Sequence, residues 1–555
     1  MQVSARNRLF AIGVFIFLLF VCQPTLRANV YATDIRINGS LVGGVILPGG
    51  QVTISYILND NATAGVSLKV TSSTNVIWTN SFPGGSAGTL VGLNSVVWDG
   101  TNNTGTNISP GGYTVSITAA STGYDSWTNI TDDGTNFRDY NPTGVDINRN
   151  TNSPYYGRVF IGCTVGEFTI FKYNADGSPG DEGASNPGGS FPTNLTWGAG
   201  TGLANQDFSP WKISVAANDK VYINDFSGDG FVYALDETLT NYVEALRMDN
   251  YPTNDLNPWL SGLQVTGTGT NAFIWMSDEQ VSMPAGIIRW QLTADGTVAT
   301  NDPGEEVAPI GTNTALTTRP FDIAVDTNGI LYAIQFFSIQ FFQTNPPPLP
   351  PAILSFAPYE GAPETNALWE AGAGETNLVQ AYGIAVDPSA TYVAVAVQGG
   401  NSDPEGGISG MLDLYYATNG NYFTNLDQTG GDQYSDVAWD NVGNLYALDT
   451  YSSNLNASVW RIYSPPGSNQ ATTVAVPIIR AYNSLAPALL TNPSLGSNGI
   501  CFTLQGQPEV TYWVEQSPDL MNWTPVTTNF SGCANRPIMI PYADNQDFYR
   551  AIATP

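Results

Sequence analysis

The sequence predicts an all-β protein with an N-terminal β-sandwich, a central six-bladed β-propeller and a small C-terminal β-sandwich. Charged residues make up only 12% of the 555, against 42% apolar and 12% aromatic, and 57 glycines and 36 prolines punctuate the chain. That composition suits short strands and tight turns, not helical bundles or disorder. Short runs of alternating apolar and polar residues recur between Gly, Asn and Pro turns. A loose unit of 50 to 68 residues also repeats through the middle of the chain.

At the N-terminus, Arg6 and Arg8 precede an apolar run from Leu9 to Cys22. A run of about fourteen residues is short for a bilayer span and fits the core of a secretory leader. Small-residue cleavage patterns follow at Leu26-Arg27-Ala28 and Val30-Tyr31-Ala32, and residues 1–32 are assigned to the leader. No second long apolar segment follows. The expectation is an exported protein, secreted or at the cell surface, with no membrane insertion after cleavage. Cleavage leaves Cys163, Cys501 and Cys533. Cys501 and Cys533 lie close together in the last module, and in an oxidising compartment they predict a disulfide. Cys163 follows the apolar strand Val159-Phe160-Ile161 and reads as a buried structural thiol.

Residues 33–122 hold short strands such as Val52-Thr53-Ile54-Ser55-Tyr56-Ile57-Leu58 and Val66-Ser67-Leu68-Lys69-Val70, spaced as in a sandwich. Asp99-Gly100 and Asn103-Thr104-Gly105 are turn chemistry. The run Val97-Trp98-Asp99-Gly100, the following Gly105, and Pro110-Gly111-Gly112-Tyr113 resemble the immunoglobulin-like domain of the flagellar hook-capping protein. That resemblance implies a spacer or docking module, with Trp98 in its core and Asp99 starting a turn.

Residues 137–480 carry the repeat. An apolar strand ending in Asp, as in Phe321-Asp322-Ile323-Ala324-Val325-Asp326 or Tyr434-Ser435-Asp436-Val437-Ala438-Trp439-Asp440, leads through a Gly/Asn turn to a second strand. Leu331-Tyr332-Ala333-Ile334 and Leu445-Tyr446-Ala447-Leu448-Asp449 are second strands, and Val459-Trp460-Arg461-Ile462-Tyr463 is a third. The anchors Val145, Ile213, Leu263, Ile323, Ile384 and Val437 lie 68, 50, 60, 61 and 53 residues apart. Each unit exposes apolar faces that only a neighbour covers, and radial closure solves this for all six. The repeats resemble those of NHL-repeat and gluconolactonase-type propellers. The gluconolactonase-type enzymes use a metal held by Glu, Asn and Asp to polarise a lactone carbonyl.

A propeller takes ligands at the mouth of its channel, beside residues just before the innermost strand and just after the second. The first position holds Lys212, Asp322 and Asp436, and the second holds Asp225, Asp278, Gln335, Gln398 and Asp449. Converging carboxylates suit calcium, with Asp322 and Asp436 as the ligands. The competing account is that each Asp caps its own turn.

Residues 481–555 read as a small β-module. Glu515-Gln516-Ser517, Trp523 and the terminal Phe548-Tyr549-Arg550 resemble a module that ends large exported proteins of diderm bacteria. Trp513, Trp523 and Tyr549 alternate with polar residues at strand spacing, which predicts core packing over a sugar platform.

Charge and residue usage narrow the function. Eighteen basic residues against 47 acidic give a net charge of −29 with no basic cluster, which excludes nucleic acid and anionic membranes as partners. No histidine is present, so Ser-His-Asp and Cys-His catalysis and His-ligated zinc are excluded. The leading expectation is a non-catalytic extracellular or cell-surface binding protein for a glycan or protein ligand. The alternatives are a calcium-dependent lactone or sugar-ester hydrolase of gluconolactonase type and a structural surface-layer component.

Overall fold

The computed structural model describes residues 30–554 except 140, 165–168, 181–208, 227–231, 248–259, 279–285, 336–350, 374–377, 379, 400–409, 428–431, 453–454, 456, 487, 497–498, 509, 531–534 and 542–547. The described residues are almost all β.

Six antiparallel sheets form a ring. Their innermost strands are Pro142–Ile147, Ile213–Val215, Leu260–Thr266, Pro320–Val325, Ala381–Val386 and Gln433–Trp439, and each pairs outward with the next strand in sequence. The inner strand of each blade packs beside that of the next, and the sixth packs beside the first. Several of these strands are buried along their whole length, as expected for an inner ring with neighbours on both faces. The ring closes through the N-terminal side of the chain. In blade 6, Ala457–Ser464 pairs with Thr128–Asn129 through Tyr463 and Asn129, and with Arg138–Asp139 through Val459 and Arg138. Closing the last blade with a strand from before the first ties the two ends of the ring together, and each blade keeps only one short outer edge.

The N-terminal sandwich has a three-stranded sheet, Ala32–Ile37, Val52–Leu58 and Gly92–Trp98. It faces a five-stranded sheet of Gly43–Ile46, Gly467–Ala481, Gly111–Tyr124, Gly65–Ser72 and Asn75–Phe82. Trp98 is buried between Trp78 and Tyr113, and Asp99 Oδ1 accepts the Thr101 N–H, as a turn-starting residue should.

Two boundaries differ from the sequence expectation. All but the last residue of Gly467–Ala481 fall within the stretch assigned to the propeller, yet the strand lies in the sandwich, antiparallel to Gly111–Tyr124 and parallel to Gly43–Ile46. The propeller is therefore inserted between two neighbouring strands of the sandwich. Val30, Tyr31 and Ala32, assigned to the leader, are buried in the fold.

The C-terminal module packs two three-stranded sheets around Leu504, Tyr512, Val514, Ile538 and Ile540. Tyr549 packs on Phe502 as a core residue. Trp513 instead lies on the outer face, 39% exposed, because Tyr512 and Val514 take the inward positions of the same strand. The expected Cys501–Cys533 disulfide involves Cys533, which lies outside the described residues.

Candidate functional site

The six inner strands share one register. The anchors Val145, Ile213, Leu263, Ile323, Ile384 and Val437 each oppose the matching residue of their second strand. The residues just before them are Gly144, Lys212, Gly262, Asp322, Gly383 and Asp436, so glycine alternates with a charged residue around the ring. The alternation is steric. A Cβ on Gly262 would lie 2.8 Å from Asp322 Cα and 2.9 Å from its Oδ1, and one on Gly383 would lie 2.7 Å from Asp436 Cα. A Cβ on Gly144 would lie 2.8 Å from Lys212 Cα. Each glycine thus makes room for the charged residue of the next blade.

The three charged side chains meet. Lys212 Nζ is 2.5 Å from Asp436 Oδ1 and 3.1 Å from Asp322 Oδ2, and it donates to the Tyr382 carbonyl at 2.8 Å. All three residues are buried. The carboxylates also hold backbone groups: Val145 N–H donates to Asp436 Oδ2, and Ile384 N–H to Asp322 Oδ2, the oxygen that faces Lys212. Burial pushes Asp436 up to about 7, with Lys212 pulling it down and Asp322 pushing it up. Burial also raises Asp322 against the pull of Lys212. Burial opposes the charge on Lys212, but the two carboxylates outweigh it and hold the ammonium above its usual range.

This geometry does not fit calcium at Asp322 and Asp436. A calcium ion needs six to eight oxygens, and the position between these two carboxylates is taken by an ammonium group of the protein itself. Among the described residues no group of three or more Asp, Glu, Cys or His is arranged to hold a metal ion.

Similar hydrogen bonds run around the channel one residue past the anchors. Asp146 Oδ2 accepts from Val215 N–H, Ser214 Oγ from Val265 N–H, and Gln264 Oε1 from Val325 N–H. Between blades 6 and 5, Trp439 Nε1 donates to the Ala385 carbonyl. Each such bond contributes about 1 kcal/mol and stitches one blade to its neighbour.

The other candidates from the sequence do not join the trio. Asp225 accepts from Ser209 Oγ at 2.5 Å. Gln335 accepts from Thr317 and Thr318 N–H and donates to the Pro351 carbonyl, holding the chain that leads into its own blade. Asp278 is buried at the end of its second strand, and Gln398 donates its N–H to the Gln380 carbonyl. Asp449 belongs to a buried cluster in blade 6. Arg461 binds Asp449 at 3.1 Å, Asp432 at 2.7 Å and Asp133 at 3.0 Å, and burial together with Asp432 lifts Asp449 to about 7. Asp133 lies just before the closing strand Arg138–Asp139, so this cluster latches the ring shut.

The open space lies on the other side of the trio. A funnel of about 800 Å³ runs from Lys212, Asp322 and Asp436 toward the connections between first and second strands. The turn-capping account holds at its rim. Asp326 accepts from Asn328 and Ile330 N–H, and Asp387 from Ser389, Thr391 and Tyr392 N–H. Sequence reasoning missed two cations in its wall. Arg149 binds Asp146 at 2.6 Å and the Trp439 carbonyl at 2.6 Å, with over a third of its side chain exposed. Arg289 pairs with Glu305 and stacks against Phe273, Trp275 and Tyr359. Their scarcity was the available signal, since a chain with 18 basic residues places two arginines and Lys212 at one cavity.

The solved structures that share a likeness with this chain include the following three. The Dos1 propeller has a TM-score of 0.30 at 6% identity, covering 63% of this chain and 88% of its own. The soluble aldose sugar dehydrogenase Asd from Escherichia coli, in its apo form, has 0.37 at 10%, covering 61% and 99%. A glycoside hydrolase has 0.23 at 9%, covering 60% and 91%. At these values the six-bladed ring rests on its own strand pairing. No protein-family model and no curated protein matches the chain.

Proposed function

We propose that this is an exported, non-catalytic binding protein that takes a glycan in the funnel of its propeller. The observation that supports it is the state of the funnel floor. Lys212, Asp322 and Asp436 are committed to one another and to backbone groups. A general acid or base has to exchange a proton with substrate, and a carboxylate held in this way is poorly placed to do so. What the funnel offers is a rigid recess with apolar walls and polar rim groups, among them Arg149, Asn150, Thr151 and Thr327. Such a lining suits a ligand with many hydroxyl groups and apolar ring faces. A lactone or ester hydrolase would need a divalent cation at Asp322 and Asp436, where the ammonium sits.

The test is calorimetric titration of neutral and acidic oligosaccharides into the protein and into Thr327→Trp. Thr327 is an exposed rim residue, and the larger ring would fill the mouth without removing a described contact. Saturable binding that weakens at least tenfold in the variant is expected. Equal binding by both proteins would place the ligand elsewhere.

A further inference from the structure

We propose that the leader is removed between Ala28 and Asn29, and that Val30 and Tyr31 remain as a buried latch between the sandwich and the propeller. This rests on the export reading. By sequence the two cleavage patterns, Leu26-Arg27-Ala28 and Val30-Tyr31-Ala32, are alike, each with an apolar residue two positions before a terminal alanine. The fold separates them.

Val30, Tyr31 and Ala32 are at most 1% exposed. The side chain of Asn469 grips Val30 from both sides, its Oδ1 accepting the Val30 N–H at 3.1 Å and its Nδ2 donating to the Val30 carbonyl at 2.9 Å. Tyr31 N–H donates to Asn59 Oδ1 at 2.8 Å. The Tyr31 ring then leaves the sandwich. Its hydroxyl is 3.1 Å from that of Tyr446 in blade 6, and its ring lies 5.3 Å from that of Tyr156 in blade 1. One residue thus touches both blades at the seam where the propeller closes.

Hydrolysis after Ala32 would remove this contact set. It would also create an α-ammonium on Thr33, which is 3% exposed and whose neighbouring carboxylate Asp34 is already paired with Arg36, and burying a charge without a partner is strongly unfavourable. Hydrolysis after Ala28 adds one water across the Ala28–Asn29 peptide bond. The carboxyl stays with the leader and the new ammonium sits on Asn29, one residue outside the Asn469 grip. The catalyst is the signal peptidase of the exporting cell, and no other reactant is needed.

The experiment is expression of the full chain in a diderm host, followed by intact-mass analysis of the exported protein. A chain of residues 29–555 is expected. A folded product starting at Thr33 would overturn the proposal, whereas an uncut chain or none outside the cytoplasm would overturn the export reading beneath it. The same preparation of Tyr31→Ala is expected to keep the Asn29 terminus and to melt at least about 4 °C lower. An unchanged midpoint would overturn the latch. Tyr31→Phe, which keeps the ring and loses the hydroxyl, should recover most of the shift.

Discussion

Lys212 Nζ reaches across the propeller from blade 2 to lie 2.5 Å from Asp436 Oδ1 of blade 6, with Asp322 of blade 4 completing the group at 3.1 Å. Alternate blades supply the charges and the blades between supply glycines. The contact joins parts of the ring that are 224 residues apart in sequence.

Breaking this group from the cationic side leaves two buried carboxylates facing each other. Lys212→Met should therefore destabilise the protein by about 3–5 kcal/mol. The triple variant Lys212→Met, Asp322→Asn, Asp436→Asn leaves no charge at this position and should recover most of that loss. Urea denaturation of the single and triple variants checks this. A single variant as stable as the parent would show that the trio does not act as a unit.

The glycines of the same ring should be intolerant for steric reasons. Gly383→Ala places a methyl group 2.7 Å from Asp436 Cα and 2.8 Å from Oδ1, which should cost about 1–3 kcal/mol. Gly269→Ala is a control for a different effect, since its Cβ would meet nothing within 4 Å but its φ is +58°. Its loss should come from backbone strain and leave the contacts of Lys212 intact. Thermal melts of both variants, with amide exchange on the inner strands, separate the two causes. Only Gly383→Ala should loosen the strand Gln433–Trp439.

Stability should fall as the pH rises from about 4 to about 7. Asp436, Asp139 and Asp449 are raised to about 7 and Asp440 to about 6, chiefly by burial. A carboxyl whose folded pKa lies above its unfolded one binds its proton more tightly when folded. Its contribution is full below the unfolded value near 4 and is lost as pH rises through the folded value. The high pKa of Lys212 adds nothing in this window. Melting midpoints from pH 4 to 8 should decline, and Asp436→Asn should flatten part of the slope. A midpoint that rises over this range would contradict the assignment.

The blade 6 cluster should govern ring closure. Arg461 joins Asp432 and Asp449 within the blade to Asp133 from the segment before the closing strand. Arg461→Gln should accelerate amide exchange at Tyr463, Ser464 and Ile130, whose backbone groups pair across the seam, more than in blade 3. Uniform acceleration through the ring would indicate general destabilisation instead of an opened seam.

The inner strands were legible because they are apolar on both faces and recur, so the anchors from Val145 to Val437 marked each blade. The same register placed Lys212, Asp322 and Asp436 at equivalent positions. That the lysine would neutralise the two aspartates was not legible, since the contact depends on how six blades converge and not on local pattern. Gly467–Ala481 carries no mark in the sequence of its partner, Gly111–Tyr124, more than 340 residues earlier. Arg149 lies in the connection after Pro142–Ile147, outside the repeated strands, and Arg289 lies within the third strand Gly286–Gln291, where the repeat pattern marks the apolar residues and not the one beside the funnel.

The central claim is that the funnel binds a glycan without transforming it. The most direct measurement is product analysis by mass spectrometry of the tightest-binding oligosaccharide after long incubation with the protein, in calcium and in chelator. Unchanged saccharide is expected in both, with affinity independent of the chelator. A cleaved or ring-opened product that forms in calcium and disappears in chelator would contradict the account.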